Sequence, residues 1–267
     1  ASVRKETQSR ERIVGLLKDL DKISVRLDIL DRKKTEFLSI ASHHLRDPLT
    51  SIKGYASMIS EGSYGELSQP AKEAVEKILV SAGRLITMVS DFMDVSRIES
   101  GDIKYIFTDV DMKKIVLDIG QEMKIDAERA HLAFSTTIDG GMSDGDAQFI
   151  TVGDAGKLRQ VISNLIDNSI KYTPKGEVSL LLSKSRDMKK IIFSLSDTGI
   201  GMNETTKGKI FNKFSRAEGV SKVYTEGTGL GLYVAKEIVK KHEGRIWAES
   251  KGEGYGSTFY VELDAKM

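Results

Sequence analysis

The sequence predicts an α+β chain. An N-terminal coiled coil and helical hairpin, able to close into a dimeric four-helix bundle, precede a two-layer α/β sandwich. Three observations carry that prediction. Glycine is scarce early and dense late, with two (Gly15, Gly54) in residues 1–61 and eleven in 199–256, which separates uninterrupted helix from loop-bearing structure. An apolar series at alternating spacings of three and four runs from Ile13 to Phe37. Beyond residue 110, strand-like apolar runs exchange with helical patterns.

Ile13, Leu16, Leu20, Ile23, Leu27 and Leu30, continued by Phe37, fill a and d heptad positions, broken by Lys34 at one a position. This pattern indicates a dimeric coiled coil, with packing on its own domain the alternative. A second helix over 71–97 repeats the device with Val75, Ile78, Ala82, Leu85, Val89 and Phe92, after the turn "SEGSYGELSQP". "RIESGDIKYIFTDVDM" (97–112) reads as a helix stop and an extended linker. Then come a helix "MKKIVLDIGQEMKIDAERA", a strand "LAFSTTI", and a helix "GKLRQVISNLIDNSIKYT" that ends before Pro174. "EVSLLLSKS", "KKIIFSLSD", "GRIWAES" and "STFYVEL" read as strands, and "GLYVAKEIVKKH" as a helix opened by glycines. The expected domains are a signalling coiled coil (1–34), a helical hairpin (35–97), a linker (98–109) and the sandwich (110–267).

Bulk composition excludes several classes. Lys+Arg 40 against Asp+Glu 39 leaves a net charge of +1, so nothing points to nucleic acid. Without cysteine there is no disulfide framework, thiolate zinc site or thiol nucleophile. No run of about 18 apolar residues exists to span a membrane. The N-terminus lacks a signal core and an initiator methionine, so the chain is expected to be a cytoplasmic piece of a longer protein. Any sensor or membrane anchor is expected to lie before Ala1.

"SIASHHLRDPLTSIKGY" (39–55) places His43 and His44 side by side. With Phe37 at zero and about 100° per residue, Phe37, Leu38, Ala41 and Leu45 centre near about 60°. His43 then falls near about 240°, opposite that face, and His44 near about 340°, on its flank. An ordinary imidazole titrates near about 6.5, is mostly neutral at pH 7, and keeps one nitrogen lone pair free for attack on phosphorus. Asp47 lies within i, i+4 reach of His43, and Pro48 removes a helical hydrogen bond just beyond. A metal site is disfavoured because adjacent side chains diverge by about 100°. Alone, the stretch leaves nucleophile and surface histidine both open.

The second half adds "NLIDNSIKYT" (164–173), "DTGIG" (197–201), "IFNKF" (210–214), "GTGLGL" (227–232) and "GYGSTF" (254–259). Asn164 and Asn168 share a helix face, where their carbonyl oxygens can help hold Mg²⁺ against nucleotide phosphates. Lys171, one turn on, can meet phosphate as a point charge. Asp197, ending an apolar strand, can accept from an exocyclic amine such as adenine's, with Gly199 and Gly201 letting backbone approach the base. "GTGLGL" opens a helix whose free N–H groups face phosphate oxygens.

Together these stretches resemble the sensor histidine kinases of two-component signalling, over residues 20–265. "FLSIASHHLRDPLTSIKGY" is similar to the H-box of their dimerisation and phosphotransfer domain. The later five are similar to the N, G1, F, G2 and G3 boxes of their ATP-binding domain. The resemblance implies that His43 is the phosphoacceptor, that Asn164 and Asn168 serve Mg²⁺, that Lys171 and Tyr172 border ATP, and that Asp197 reads adenine. It extends the nucleotide site to Gly199, Gly201, Gly227, Thr228, Gly229, Leu230, Gly231 and Thr258. Arg216 would approach the γ-phosphate from a mobile lid over 203–227. A homodimer would phosphorylate itself and pass the group to an aspartate of a response-regulator receiver domain. The alternatives are a degenerate ATP-binding scaffold and an ATPase of the same nucleotide fold.

Two positions depart from the pattern. The family usually carries an acidic residue directly after the phosphoacceptor, to take its ring proton, where this chain has His44. It usually carries Thr or Asn four residues on, to position water for dephosphorylating the regulator, where this chain has Asp47. Asp47 or His44 is therefore expected to serve as proton acceptor, and regulator phosphatase activity to suffer from like-charge repulsion.

Overall fold

With one proline and two glycines in 59 residues, the first helix, α1, runs unbroken over Ser2–Ser60. It belongs to the first of two compact units, Ala1–Asp102 and Ile103–Met267, in a computed structural model that describes residues 2–139, 148–215 and 228–266. Helix α1 passes through Pro48, whose missing N–H leaves the His44 carbonyl without its helical donor. Just beyond, the Thr50 and Ser51 hydroxyls donate to the carbonyls of Arg46 and Asp47 at 2.8 and 3.1 Å. A turn leads to α2, Gln69–Ser100, with Pro70 in its first turn, where a missing N–H costs nothing. Helix α2 stops at Gly101, whose φ of 71° suits glycine. The Gly101 and Asp102 N–H groups there satisfy the carbonyls of Ile98 and Arg97.

The predicted stripe of α2 divides between covered and uncovered residues, while the described members of the heptad series on α1 are all uncovered. Ala82, Met93 and Val95 of α2 and Ser42 and Ala56 of α1 are buried where the helices pack. Ile78, Leu85 and Phe92 stay exposed, as do Leu20, Ile23, Leu27, Leu30 and Phe37, the last at 70%. The face of α1 turned to α2 (Leu38, Ser42, Leu49, Ala56) centres near about 115° on the same wheel, not the expected 60°. The exposed Phe37, Leu45, Ile52 and Tyr55 centre near about 35°, leaving a second, open stripe.

The second unit is a helical layer on a five-stranded sheet of order β2-β4-β5-β7-β6. The strands are β2 (Ala133–Asp139), β4 (Glu177–Lys184), β5 (Lys190–Asp197), β6 (Arg245–Glu249) and β7 (Ser257–Asp264). All neighbours pair antiparallel except β2 with β4. Strand alternation turns Val178, Leu180, Leu182, Ile191, Phe193, Leu195, Phe259 and Val261 inward. They meet the buried faces of α3 (Met112–Arg129), α4 (Ala155–Lys171) and α6 (Gly231–Lys241), such as Ile119, Leu165 and Val234. A short helix, α5, spans Glu204–Lys209. The expected linker 98–109 overlaps both the end of α2 and β1 (Thr108–Asp111), which pairs antiparallel with β3 (Ile150–Gly153). No described helix is long and apolar enough to cross a membrane.

Candidate active site

Helix α4 carries both candidate asparagines. Asp154 caps it, accepting from the Lys157 N–H at 3.0 Å, and Leu158, Val161, Ile162, Leu165 and Ile166 bury its apolar face. That packing leaves Asn164 and Asn168 half-buried on the other side. Asn164 Nδ2 donates to the Gly231 carbonyl and Asn168 Nδ2 to the Asn164 carbonyl, each at 3.0 Å. Since both neighbours are acceptors, the amide NH₂ groups point to them, which turns the two amide oxygens away from these partners. Oxygen donors of this kind suit a hard cation such as Mg²⁺. The Asn164 bond also ties α4 to the first residue of α6.

Asp197 ends β5 with its side chain on the buried face. Its Oδ1 accepts the N–H groups of Gly199 at 2.9 Å and Ser257 at 3.2 Å, and Oδ2 accepts the Ser169 hydroxyl at 3.3 Å. No cation is among these partners, and burial outweighs the hydrogen bonds, raising the carboxyl above its ordinary 3.8. The loops around it are laced backbone to backbone. Gly256 N–H donates to Gly199 O at 3.1 Å, Gly254 N–H to Ile200 O at 2.6 Å, and Ile200 N–H to Tyr172 O at 3.0 Å.

This lacing explains the glycines differently from the expectation. A Cβ on Gly199 would lie 2.3 Å from Tyr172 O, one on Gly201 2.1 Å from Gly252 O, and one on Gly256 2.0 Å from Asp197 O. Gly201 and Gly256 also sit at φ +68° and +69°. Glycine is required at these positions for loop against loop, whatever approaches from outside.

Thr258 does not join the site. Strand parity sends it to the outer face of the sheet, where its hydroxyl lies 3.0 Å from that of Ser196. Ser257, directly opposite Asp197 in the register and buried, occupies the inner position. Knowing where β7 starts would have revealed this.

At the other end, Lys171 Nζ stands 5.1 Å from the centre of the Tyr172 ring, a cation–π contact at the α4 terminus. Thr228 Oγ1 accepts the Leu230 N–H at 3.2 Å, and Leu230 is buried at the start of α6. Gly229, at φ +69°, lies against Phe214 and Ser215, since an added Cβ would come 2.9 Å from Ser215 O. A Cβ on Gly231 would meet Asn164 at ordinary contact, 3.6 Å. Arg216, Gly227 and the rest of 216–227 lie outside the described residues, and the described part of the expected 203–227 lid contains the short helix α5.

In the first unit His43 and His44 are both exposed. His43 Nδ1 lies 3.1 Å from Asp47 Oδ2, with side chains 74% and 63% exposed. His44 meets His43 edge to face, ring centres 6.3 Å apart. On the helical wheel His44 borders the open apolar stripe, and His43 lies away from it.

An inward acidic side chain between glycine turns, facing a helix that carries two asparagines, defines a nucleotide-binding sandwich. Joined in sequence to a histidine-bearing hairpin, it defines a class of phosphotransfer proteins. Residues 33–101 match the His Kinase A (phospho-acceptor) domain. Residues 153–267 match the histidine kinase-, DNA gyrase B-, and HSP90-like ATPase domain. The chain belongs to the sensor histidine kinases. It is 33% identical to the circadian input-output histidine kinase CikA of Synechococcus elongatus, over 85% of this chain and 29% of that protein. To the sensor histidine kinase WalK of Bacillus subtilis it is 29% identical, over 89% of this chain and 38% of that one. It thus spans well under half the length of these relatives. The fold is similar to that of full-length ShkA, solved in complex with AMPPNP, with a TM-score of 0.67 and 24% identity over 87% of this chain and 46% of that one.

Proposed function

We propose that the chain is the core of an ATP-dependent histidine autokinase that phosphorylates His43 and passes the phosphoryl group to an aspartate on a response-regulator receiver domain. The observation that carries the reading is the Asp197 cradle. Two backbone N–H groups fix Oδ1, and Oδ2, held among the described residues by the longer Ser169 bond, is the oxygen offered to an adenine amine. Ser257, whose N–H bonds Asp197 Oδ1, stands beside it. Lys171, Tyr172 and the stretch Thr228–Gly231 that leads into α6 would border the phosphates, where a helix N-terminus favours anions. Mg²⁺, when bound, would neutralise phosphate charge there, held by the amide oxygens of Asn164 and Asn168.

His43 is the nucleophile in this reading, and its exposure suits a residue that an ATP-bearing domain and then a receiver domain must both reach. Positioning supplies most of the catalysis, because little covalent chemistry falls to the protein in phosphoryl transfer. The uncovered stripes of α1 and α2 support a homodimer, in which a second hairpin would cover them.

The test is transfer. The chain is incubated with γ-labelled ATP, freed of nucleotide, and given a receiver domain of the same source. Label should leave the chain and appear on the receiver as an acid-stable, base-labile acyl phosphate. A chain that releases inorganic phosphate steadily without ever carrying label would be an ATPase.

A further inference from the structure

We infer that Asp47 is the proton acceptor of His43, holding the Nδ1 hydrogen so that Nε2 is the attacking nitrogen; this role deepens the autokinase reading and rests on it. Three observations point to it. First, Nδ1 and Asp47 Oδ2 are 3.1 Å apart, hydrogen-bond distance for an N–H donating to a carboxylate. A carboxylate accepts only, so the pair fixes the neutral ring with its hydrogen on Nδ1 and its lone pair on Nε2. Second, His44 cannot do the same in this geometry. Ring centres 6.3 Å apart keep the ring nitrogens at least about 4 Å from each other, beyond hydrogen-bond reach. Third, both members of the pair are mostly exposed, where such a contact adds little to stability. The pairing thus contributes little to folding, and it leaves the carboxylate placed to take the Nδ1 proton.

The local helix keeps the two together. Asp47 is one turn C-terminal to His43, and side chains that lean toward the helix N-terminus bring its carboxylate back to the ring. Pro48 fixes φ directly after Asp47, and the Ser51 hydroxyl donates to the Asp47 carbonyl at 3.1 Å. In the reaction, His43 Nε2 forms the N–P bond as the bond from the γ-phosphorus to the bridging oxygen breaks. ADP leaves with that electron pair. The ring would become cationic, and Asp47 Oδ2 takes the Nδ1 proton, leaving a neutral phosphorylated imidazole.

The experiment uses the full chain with γ-labelled ATP and compares Asp47→Asn, Asp47→Glu and His44→Gln with the wild type. Asp47→Asn should lower the kcat of labelling by about 100-fold or more, as losing a general base does. KM for ATP and the unfolding midpoint should stay unchanged. Asp47→Glu should restore much of the rate. The ¹⁵N shifts of His43 should report one tautomer in the wild type and a mixture in Asp47→Asn. A labelling rate in Asp47→Asn within about threefold of wild type would overturn the role of Asp47 alone, as would a large loss seen only in His44→Gln. A wild type that takes no label at all would overturn the autokinase reading itself.

Discussion

Asp197 is fixed by backbone N–H groups inside laced glycine turns, while His43 stands on the open side of one helix with a single carboxylate beside it. The first is among the buried polar groups of the sheet, and the second is mostly exposed. The contrast fits the roles proposed for the two residues. A group that selects a base must already point at it, and backbone that cannot shift is the surest means of aiming a carboxylate. A nucleophile that meets two partners in turn must be reachable, so its positioning has to come from its own helix.

If this contrast is right, substitutions in the two regions should fail differently. The largest effect on folding is expected at Gly256, where a methyl group would lie 2.0 Å from Asp197 O at a φ of +69°. Gly256→Ala should destabilise the second unit by about 2–4 kcal/mol, read from its transition in urea, and weaken ATP binding with it. His43→Gln, by comparison, should shift no unfolding transition by more than about 0.5 kcal/mol.

Asp197→Asn separates binding from stability. Losing an ionic acceptor for the base amine should weaken ATP about 10- to 100-fold by calorimetry. The unfolding midpoint at pH 7 should not fall. Burial raises the folded carboxyl above its unfolded value, so between those two values the folded state holds more protons and stability declines as pH rises. The charged group is thus a cost at neutral pH, and asparagine removes it.

The open stripe of the first unit gives a third, smaller effect. Leu27→Asp places a charge on the exposed heptad face and should shift sedimentation toward monomer at micromolar concentration. Nucleotide affinity should be untouched.

The smallest effect concerns His242, buried at the end of α6. Its Nδ1 lies 2.8 Å from the Ile238 carbonyl, and its Nε2 accepts the Asp154 N–H at 2.9 Å. The rings of Tyr105 and Phe107 pack on it, and Ile106 N–H bonds Asp154 Oδ2. Desolvation holds the imidazole below its ordinary 6.5, despite the opposing pull of the Ile238 carbonyl and the Asp154 carboxylate. As pH falls below about 6.5 the unfolded chain binds the proton first, so stability should drop until the folded value is passed. His242→Gln, which can donate and accept at the same points, should flatten that slope in thermal unfolding between pH 7 and 5.

The long elements were legible because their periodicity repeats. Helix α1 follows from its heptads and α4 from its apolar face, and the major strands follow from strict alternation. What stayed hidden depends on partners distant in sequence. Strand β1 offers one buried side chain, Val110, in four residues, and only pairing with Ile150–Gly153 makes it a strand. Ser257 and Thr258 both follow the glycines, and only strand parity decides which hydroxyl faces Asp197. The ties from Ile106 to Asp154 and from Asp154 to His242 span 48 and 88 residues, without a local signal beyond an N-cap aspartate. The stripe on α1 was visible, but its division into two faces was not, because packing against α2 sets the phase.

The central claim is that His43, and not its neighbour, carries the phosphoryl group. Wild type, His43→Gln and His44→Gln are incubated with γ-labelled ATP and tested for acid-labile, base-stable label on the chain. Label is expected in the wild type and in His44→Gln, at whatever rate, and none in His43→Gln. Label that persists in His43→Gln and vanishes in His44→Gln would contradict it.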